Sequence, residues 1–220
     1  MISKSQLEII VSKLEKFKKP NERLEQYPTD SETASIILWD AYMKGEIENK
    51  IIIDMGCGTG VLGIGALLLG AKKVYFIDID SKAFEILKEN IRKTEKEYNL
   101  KLINKSVFIN KDIKNISKSD FNEKIDIIMQ NPPFGTREKH IDIIFLEKAM
   151  HLAEKIYSLH KSSTDNFIKK TTSENNFNTE EILRFDFPLK QTLKHHKRKI
   201  HRIKVSCFIL FKINNSNIYK

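Results

Sequence analysis

The chain has 220 residues, 40% of them hydrophobic, which is enough for one domain with a buried core. Its apolar runs are too short to span a membrane, and its N-terminus is too polar for a secretory signal. Two cysteines, Cys57 and Cys207, are too few for a disulfide framework or a zinc site. We therefore expect a cytoplasmic protein, or a nuclear one if the source is eukaryotic.

The net charge of +9 is concentrated near the C-terminus. All 29 acidic residues lie at or before Asp186, whereas residues 190–220 contain nine Lys and Arg and no acid. Seven of these nine fall in the basic segment, residues 190–204. Such a segment is either a solvated tail or a surface for a polyanion. The absence of acids from this segment alone favours the polyanion.

Hydrophobic spacing predicts alternating helices and strands. The N-terminal helices occupy residues 1–45: one over 3–18, and one capped by Asp30 or Ser31 that ends near Met43. Strands are predicted at 50–55, 74–77, 107–109, 124–130 and 155–159. Helices are predicted from Gly60 to about Leu69, at 82–97 with Ser81 as cap, at 141–154, and from about 162 to 170. A mobile loop is predicted at residues 171–179, and two final strands are predicted at 181–187 and 201–213.

This alternation is typical of an α/β fold. It predicts a mostly parallel sheet of seven strands with helices on both faces, and the last two strands form an antiparallel hairpin. No repeat or linker divides the chain, so we expect a single domain over residues 1–220.

The most informative stretch is the NPPF motif, which consists of Asn131, Pro132, Pro133 and Phe134 and follows the fourth predicted strand. The Asn oxygen and a backbone carbonyl beside proline can each accept a hydrogen bond from an NH2 group. The Phe ring can stack on a planar base. Taken alone, the motif is also consistent with a proline turn that buries a core phenylalanine.

A glycine loop, residues 54–60, joins the first strand to its helix. Gly56, Gly58 and Gly60 let the backbone turn tightly close to a ligand. A dinucleotide fingerprint has a different glycine spacing. The carboxylate of Asp54 before the loop would repel a pyrophosphate and attract a cationic ligand.

Two further acids follow the next strands. Asp78 ends the second strand and can bind both hydroxyls of a ribose. Asp80 competes for that role, but its position before the helix at 82–97 is more typical of a cap or turn residue. Asp112, after the third strand, either accepts a hydrogen bond from an adenine amino group or forms a turn.

In this order and spacing, the glycine loop, the ribose acid and the NPPF motif resemble the class I S-adenosylmethionine-dependent methyltransferases, which have a Rossmann-like fold. More narrowly, the chain resembles the methyltransferase-like protein 5 family, which makes N6-methyladenosine in small-subunit ribosomal RNA. The stretches that carry this resemblance are residues 25–29, 54–60, 76–80, 131–136, 157–164 and 196–199.

The resemblance implies S-adenosylmethionine as cofactor and the NPPF motif as the catalytic site. It also implies a small zinc-ribbon activator protein that pairs with the edge of the sheet near Val107 and Ile109. The implied cofactor-binding residues come from separate parts of the chain: Gln26, Tyr27, Thr29, Asp54, Gly56, Cys57, Gly58, Gly60, Asp78, Ile79, Asp112, Ile113 and Asn131.

Basic residues in two places are predicted to contact RNA. His160 and Lys161 follow the fifth predicted strand, where Ser162 or Ser163 can also cap the next helix. In the basic segment, Lys197, Arg198 and Lys199 are predicted to contact the phosphate backbone.

Other functions remain open at this point. The NPPF motif would also suit a methyltransferase of protein glutamine N5 or of DNA adenine N6, although Phe134 and the basic segment favour nucleic acid. A non-catalytic RNA-binding ribosome-assembly factor could keep the same fold. Such a protein would be expected to lose the glycine loop or Asn131 first, and both are intact.

Overall fold

The computed structural model describes residues 2–135, 137–190 and 200–213. In these residues one sheet of seven strands has the order β3-β2-β1-β4-β5-β7-β6. The first five strands in that order run parallel, and β7 pairs antiparallel with both β5 and β6. The predicted fold class is therefore confirmed. The strands are β1 (Ile51–Met55), β2 (Lys73–Asp78), β3 (Ser106–Asn110), β4 (Ile127–Gln130), β5 (Lys155–Lys161), β6 (Phe177–Lys190) and β7 (Ile200–Lys212).

Helices cover both faces of the sheet. In β1, Ile52 packs into the core on the side of the first four helices, whereas Ile51 and Ile53 pack on the side of the last two. A parallel strand that is buried on both faces gives a continuous apolar run, which is how β1 stands out in the sequence. The α-helices are α1 (Lys4–Ser12), α2 (Ser31–Met43), α3 (Val61–Leu68), α4 (Ser81–Tyr98), α5 (Ile141–Leu152) and α6 (Asp165–Glu174). None of the helices in the described residues is long and apolar enough to cross a membrane.

The first helix ends at Ser12, so the prediction of a helix over 3–18 was too long. Beyond it, the backbone N–H of Glu15 donates to Asn90 Oδ1 at 2.8 Å, and Asn90 Nδ2 donates to the Glu15 carbonyl at 3.0 Å. A side chain of α4 therefore takes the place of the next helical hydrogen bonds. Phe17, which was expected on the helix, lies beside the glycine loop instead, within 3.6 Å of a Cβ placed on Gly58.

The predicted mobile loop at 171–179 was wrong. Helix α6 continues to Glu174, Asn176 makes a left-handed turn at φ 60°, and β6 begins at Phe177. Ile168 and Thr172 form a buried side of α6, and Phe177 is only 2% exposed. The polar composition of this stretch concealed its amphipathic pattern.

Two local predictions about helix caps and strand ends also change. Asp80, not Ser81, caps α4 by accepting a hydrogen bond from the Lys82 N–H at 3.0 Å. Strand β5 extends to Lys161, so His160 and Lys161 lie within the strand and do not follow it.

Candidate active site

The carboxyl ends of the parallel strands border a cleft, over which the N-terminal segment, residues 25–29, lies. The cleft encloses about 1160 Å³ of empty space, open solvent at its mouth included. Its lining combines apolar side chains with a few carboxylates and an amide, which is typical of sites that bind small molecules. All of the predicted cofactor-binding residues except Gly60 line this cleft.

The glycine loop takes a conformation that its glycines make possible. Gly56, Gly58 and Gly60 have φ values of 71°, 50° and 90°, in the left-handed region. Gly60 is the N-cap residue of α3, and a Cβ there would lie 2.1 Å from Leu87 Cδ1. Gly60 therefore lets the loop pack closely against α4 and does not line the cleft.

Asp54 is 2% exposed and accepts a hydrogen bond from the Gly63 N–H at 2.8 Å. Its burial raises the pKa of the carboxyl to about 8, and the nearby charge of Asp78 acts in the same direction. A cation bound in the cleft would stabilise the ionised form, so Asp54 suits a positively charged ligand.

Asp78 holds the glycine loop to the end of β2. One carboxylate oxygen accepts from the Gly58 N–H at 2.8 Å, and the other accepts from the Asp80 N–H at 2.9 Å. Burial raises the Asp78 pKa, against the effect of these backbone donors. Each oxygen keeps a further lone pair that can accept from a ribose hydroxyl. Asp80 instead binds Gln26 Nε2 at 2.8 Å and does not line the cleft.

Asp112 serves as a turn former and also lines the cleft. Its Oδ1 accepts a hydrogen bond from the Lys114 N–H at 2.9 Å, which starts the short turn Ile113–Asn115. Ile79 is 53% exposed at the cleft wall, and Ile113 lines the same cleft. These two apolar side chains can contact the faces of a purine ring.

Asn131 has the free acceptor that the NPPF motif predicts. Its Nδ2 donates to Thr29 Oγ1 at 3.0 Å, whereas its Oδ1 is buried and has no hydrogen-bond partner among the residues that the structure describes. A buried acceptor without a donor is uncommon, and Asn131 lines the cleft. This oxygen can accept a hydrogen bond from an amine that enters the cleft.

The rest of the motif divides into two parts. Pro133 lines the cleft, whereas Pro132 and Phe134 are buried and do not line it. The Phe134 and Phe187 rings form a T-shaped pair with their centroids 6.1 Å apart. The Lys161 ammonium lies 5.9 Å from the centre of the Phe134 ring.

Sequence reasoning missed Glu25 as a site residue. Its side chain is 5% exposed and binds two backbone N–H groups, those of Phe134 at 3.0 Å and Arg137 at 2.8 Å. The only available signal was an acid next to the predicted cofactor residues Gln26 and Tyr27.

The predicted RNA contact of His160 is wrong. His160 has no exposed surface, because it lies inside β5, and its Nε2 lies 2.7 Å from Ser158 Oγ. Its Nδ1 lies 3.6 Å from Asp142 Oδ2. Burial would raise the Asp142 pKa, but its interactions with His160 and with backbone N–H groups lower it overall. Lys161 is partly exposed, and Lys197, Arg198 and Lys199 lie outside the described residues.

Known proteins match the chain over nearly its whole length. The family "Conserved hypothetical protein 95" matches residues 33–181. The "rRNA N(6)-adenosine-methyltransferase METTL5" of Danio rerio is 36% identical and covers 94% of this chain and 97% of its own length. The "Uncharacterized protein MJ0284" of Methanocaldococcus jannaschii is 32% identical and covers 100% of this chain and 99% of its own length.

The fold is similar over the same extent. The crystal structure of PH1948 from Pyrococcus horikoshii has a TM-score of 0.85 and 37% sequence identity. The match covers 97% of this chain and 100% of that one. The likeness therefore includes the N-terminal segment and the terminal hairpin as well as the sheet.

Proposed function

The chain belongs to the family of the METTL5 rRNA N6-adenosine methyltransferases, and from this we propose that it methylates the N6 amine of an adenine in small-subunit ribosomal RNA. Enzymes of this family use S-adenosylmethionine as methyl donor. The restriction to the small subunit comes from the sequence resemblance described above.

The free oxygen of Asn131 is the observation that supports this proposal. An adenine N6 amine presents two N–H donors. Within the described part of the chain, Asn131 Oδ1 is a buried acceptor without a donor at the wall of the cleft. Leaving such an acceptor unpaired is unfavourable, so the site gains from a ligand that carries an NH2 group.

The other predicted residues of the cleft fit S-adenosylmethionine. Gly56 and Gly58 let the backbone of the glycine loop come close to the cleft, Asp54 suits the ligand's cationic end, and Asp78 suits a ribose. Ile79, Asp112 and Ile113 would contact the cofactor's adenine, and Gln26, Tyr27 and Thr29 would cover it. When bound, the cofactor supplies a methyl group activated by its sulfonium.

We assign the nucleophile's orientation to the NPPF motif. The lone pair of an adenine N6 is delocalised into the ring, which makes it a poor nucleophile. Asn131 Oδ1 accepts one N–H and the Pro132 carbonyl accepts the other, so the nitrogen becomes pyramidal and its lone pair is free. No strong general base is needed, because the proton on N6 becomes acidic once the nitrogen is alkylated.

The target base must leave its stack to enter the cleft. We propose that it stacks on the Phe134 face that Lys161 covers, which requires the Lys161 side chain to move aside. The displaced ammonium then binds a neighbouring phosphate. Lys197, Arg198 and Lys199 supply further phosphate contacts.

We also propose that the zinc-ribbon activator implied by the sequence resemblance binds β3. This strand is an edge of the sheet, and its unpaired backbone groups are available for another strand. Val107 and Ile109 are only partly buried there. Loss of the pairing between the activator and β3 should lower the amount of folded enzyme. It should not change the enzyme's affinity for S-adenosylmethionine.

The substitution Asn131→Ala tests the catalytic assignment. We expect kcat on small-subunit RNA to fall by about a hundredfold or more, because an acceptor acting in the transition state is lost. The Kd for S-adenosylmethionine should stay within about threefold, since binding rests on other groups. Nucleoside mass spectrometry of the reacted RNA and calorimetric binding of the cofactor measure the two quantities.

Asn178→Ala is a matched control, because Asn178 is exposed on β6. It should leave both quantities unchanged. If Asn131→Ala retained near-normal methylation, the assigned role of Asn131 would be incorrect. Methylation of large-subunit RNA in preference to small-subunit RNA would contradict the proposed substrate.

A further inference from the structure

Glu25 places a buried carboxylate against the backbone of the catalytic loop, which is the loop that contains the NPPF motif and Arg137. Its Oε2 accepts a hydrogen bond from the Phe134 N–H at 3.0 Å, and its Oε1 accepts one from the Arg137 N–H at 2.8 Å. Both oxygens are therefore occupied by groups that are more than a hundred positions away in the chain. Hydrogen bonds to a carboxylate are about twice as strong as neutral ones.

The conformation of Glu25 itself is unusual. Its φ of 48° lies in the left-handed region, which costs about 1 kcal/mol or more for a residue with a Cβ. The residue ends the short turn Glu22–Leu24, and its N–H donates to the Glu22 carbonyl at 3.2 Å. This turn directs the side chain inward, to the loop that follows the NPPF motif.

The composition of the motif makes this contact important. Pro132 and Pro133 have no N–H, so Phe134 carries the first backbone donor after Asn131. The bond from Phe134 to Glu25 is therefore the first point at which a backbone donor can fix the loop beyond Asn131. The position of the Pro132 carbonyl, two residues before, depends on it.

The same segment also contacts Asn131 and the cofactor side of the cleft. Thr29 accepts from Asn131 Nδ2 at 3.0 Å, and Gln26 donates to Asp80 at 2.8 Å. Residues 25–29 thus connect β2 to the catalytic loop through side chains. Ordering of this segment by a bound ligand would also order the loop.

We propose that Glu25 is a positioning residue for methyl transfer: it fixes the backbone of the catalytic loop so that Asn131 and the Pro132 carbonyl face the target amine. The proposal rests on the function proposed above. Glu25 lines the cleft, but both of its carboxylate oxygens bind backbone N–H groups of the loop, so it acts through the loop. Its loss should therefore lower turnover more than cofactor binding.

The variant Glu25→Gln tests this role. The glutamine amide offers one acceptor oxygen, and its NH2 group would face a backbone N–H in place of the second oxygen. We expect kcat to fall by at least about tenfold, since small displacements of reacting groups are costly. The Kd for S-adenosylmethionine should stay within about threefold. Exchange of the Phe134 and Arg137 amide hydrogens, followed by NMR, should become faster.

Glu22→Gln is the matched control. Glu22 lies three residues earlier, is exposed, and contacts the Arg137 side chain at 3.4 Å rather than its backbone. The Glu22→Gln variant also removes one carboxylate charge beside the catalytic loop. We expect kcat and the exchange of both amides to match the wild type. Circular dichroism shows whether each variant is folded.

If Glu25→Gln does not fold, amide exchange in the wild type still tests whether Glu25 fixes the loop backbone. Phe134 and Arg137 should be protected, and unprotected amides would overturn the proposal. Normal kcat in folded Glu25→Gln, with Asn131→Ala inactive, would overturn the role of Glu25 and leave the proposed function standing. An inactive wild type would contradict the proposed function, whereas slow exchange at both amides would still support the contact.

Discussion

At the scale of single residues, two buried acids give the cleft its electrostatic character. Burial raises the pKa of Asp54 to about 8, and Asp78 adds to this effect. Burial also raises the Asp78 pKa, despite its hydrogen bonds from Asp80 and Gly58. A nearby cation stabilises the ionised form of two neighbouring carboxyls whose pKa values are raised. A sulfonium or a protonated amine is such a cation.

The raised pKa of Asp54 predicts a specific dependence of stability on pH. Between about pH 4 and about pH 8 the folded state keeps the proton and the unfolded chain does not, so the free energy of unfolding falls as pH rises. The substitution Asp54→Asn removes this titration. The amide oxygen of the asparagine can still accept the hydrogen bond from the Gly63 N–H. The unfolding free energy of the variant relative to wild type should rise across this window by about 1.4 kcal/mol per pH unit.

Urea unfolding of the cofactor-free chain at several pH values measures this difference. The effect should disappear below about pH 4, where Asp54 is protonated in both states. A relative free energy that stays constant with pH would show that Asp54 is ionised in the folded chain.

At the scale of elements, the β6–β7 hairpin packs against the buried Phe134 of the NPPF motif. Phe187 on β6 is fully buried and packs edge-on against Phe134. Three residues of β7 complete the same core: Val205, Cys207 and Ile209. The hairpin thus contributes to the position of the NPPF motif as well as to the sheet.

Truncation of this contact should destabilise the fold. Phe187→Ala should lower the free energy of unfolding by about 3–5 kcal/mol, because it leaves a cavity in the core. Phe211→Ala on β7 is the control, since Phe211 is 37% exposed, and it should cost less than about 1 kcal/mol. Thermal and urea unfolding compare the two variants, and equal losses would contradict the supporting role of Phe187.

At the scale of the whole molecule, charge is separated along the chain. Residues 1–189 carry 29 basic and 29 acidic residues, so the excess of nine positive charges lies in residues 190–220. This separation suits a chain that binds a phosphate backbone with one part and a cationic cofactor with another.

Neutralising Lys197, Arg198 and Lys199 together should weaken binding to all RNA sequences alike. Each phosphate contact contributes about 0.7–0.9 to the slope of log affinity against log salt, so the slope should become shallower by about 2–3. Filter binding at several salt concentrations measures it. As a control, Lys96, Lys101 and Lys105 are exposed residues, and the last two precede β3, away from the cleft.

The same triple charge change at Lys96, Lys101 and Lys105 should leave the slope nearly unchanged. An equal effect of both triple variants would point to net charge alone. A loss confined to one RNA sequence would indicate base recognition by the basic segment, contrary to the prediction.

The sequence by itself determined the order of strands and helices along the chain, and all of the cofactor-binding residues it predicted except Gly60 line the cleft. Hydrophobic period, glycine turns and acids at strand ends are local signals. It placed Asp78, Asp112 and Asn131 at strand ends that meet at one edge of the sheet. Helix and loop limits were less certain where tertiary contacts decide them, as Asn90 does for the end of α1.

Only the tertiary structure decided the surroundings of individual side chains. His160 is buried within β5, beside the paired strand β7 and against its Phe208 ring, and nothing near His160 in the sequence indicates this. Glu25 meets Phe134 across 109 positions, so no local pattern could identify the contact. Burial and hydrogen-bond partners depend on residues that are distant in the chain, and these become neighbours only once the sheet has formed.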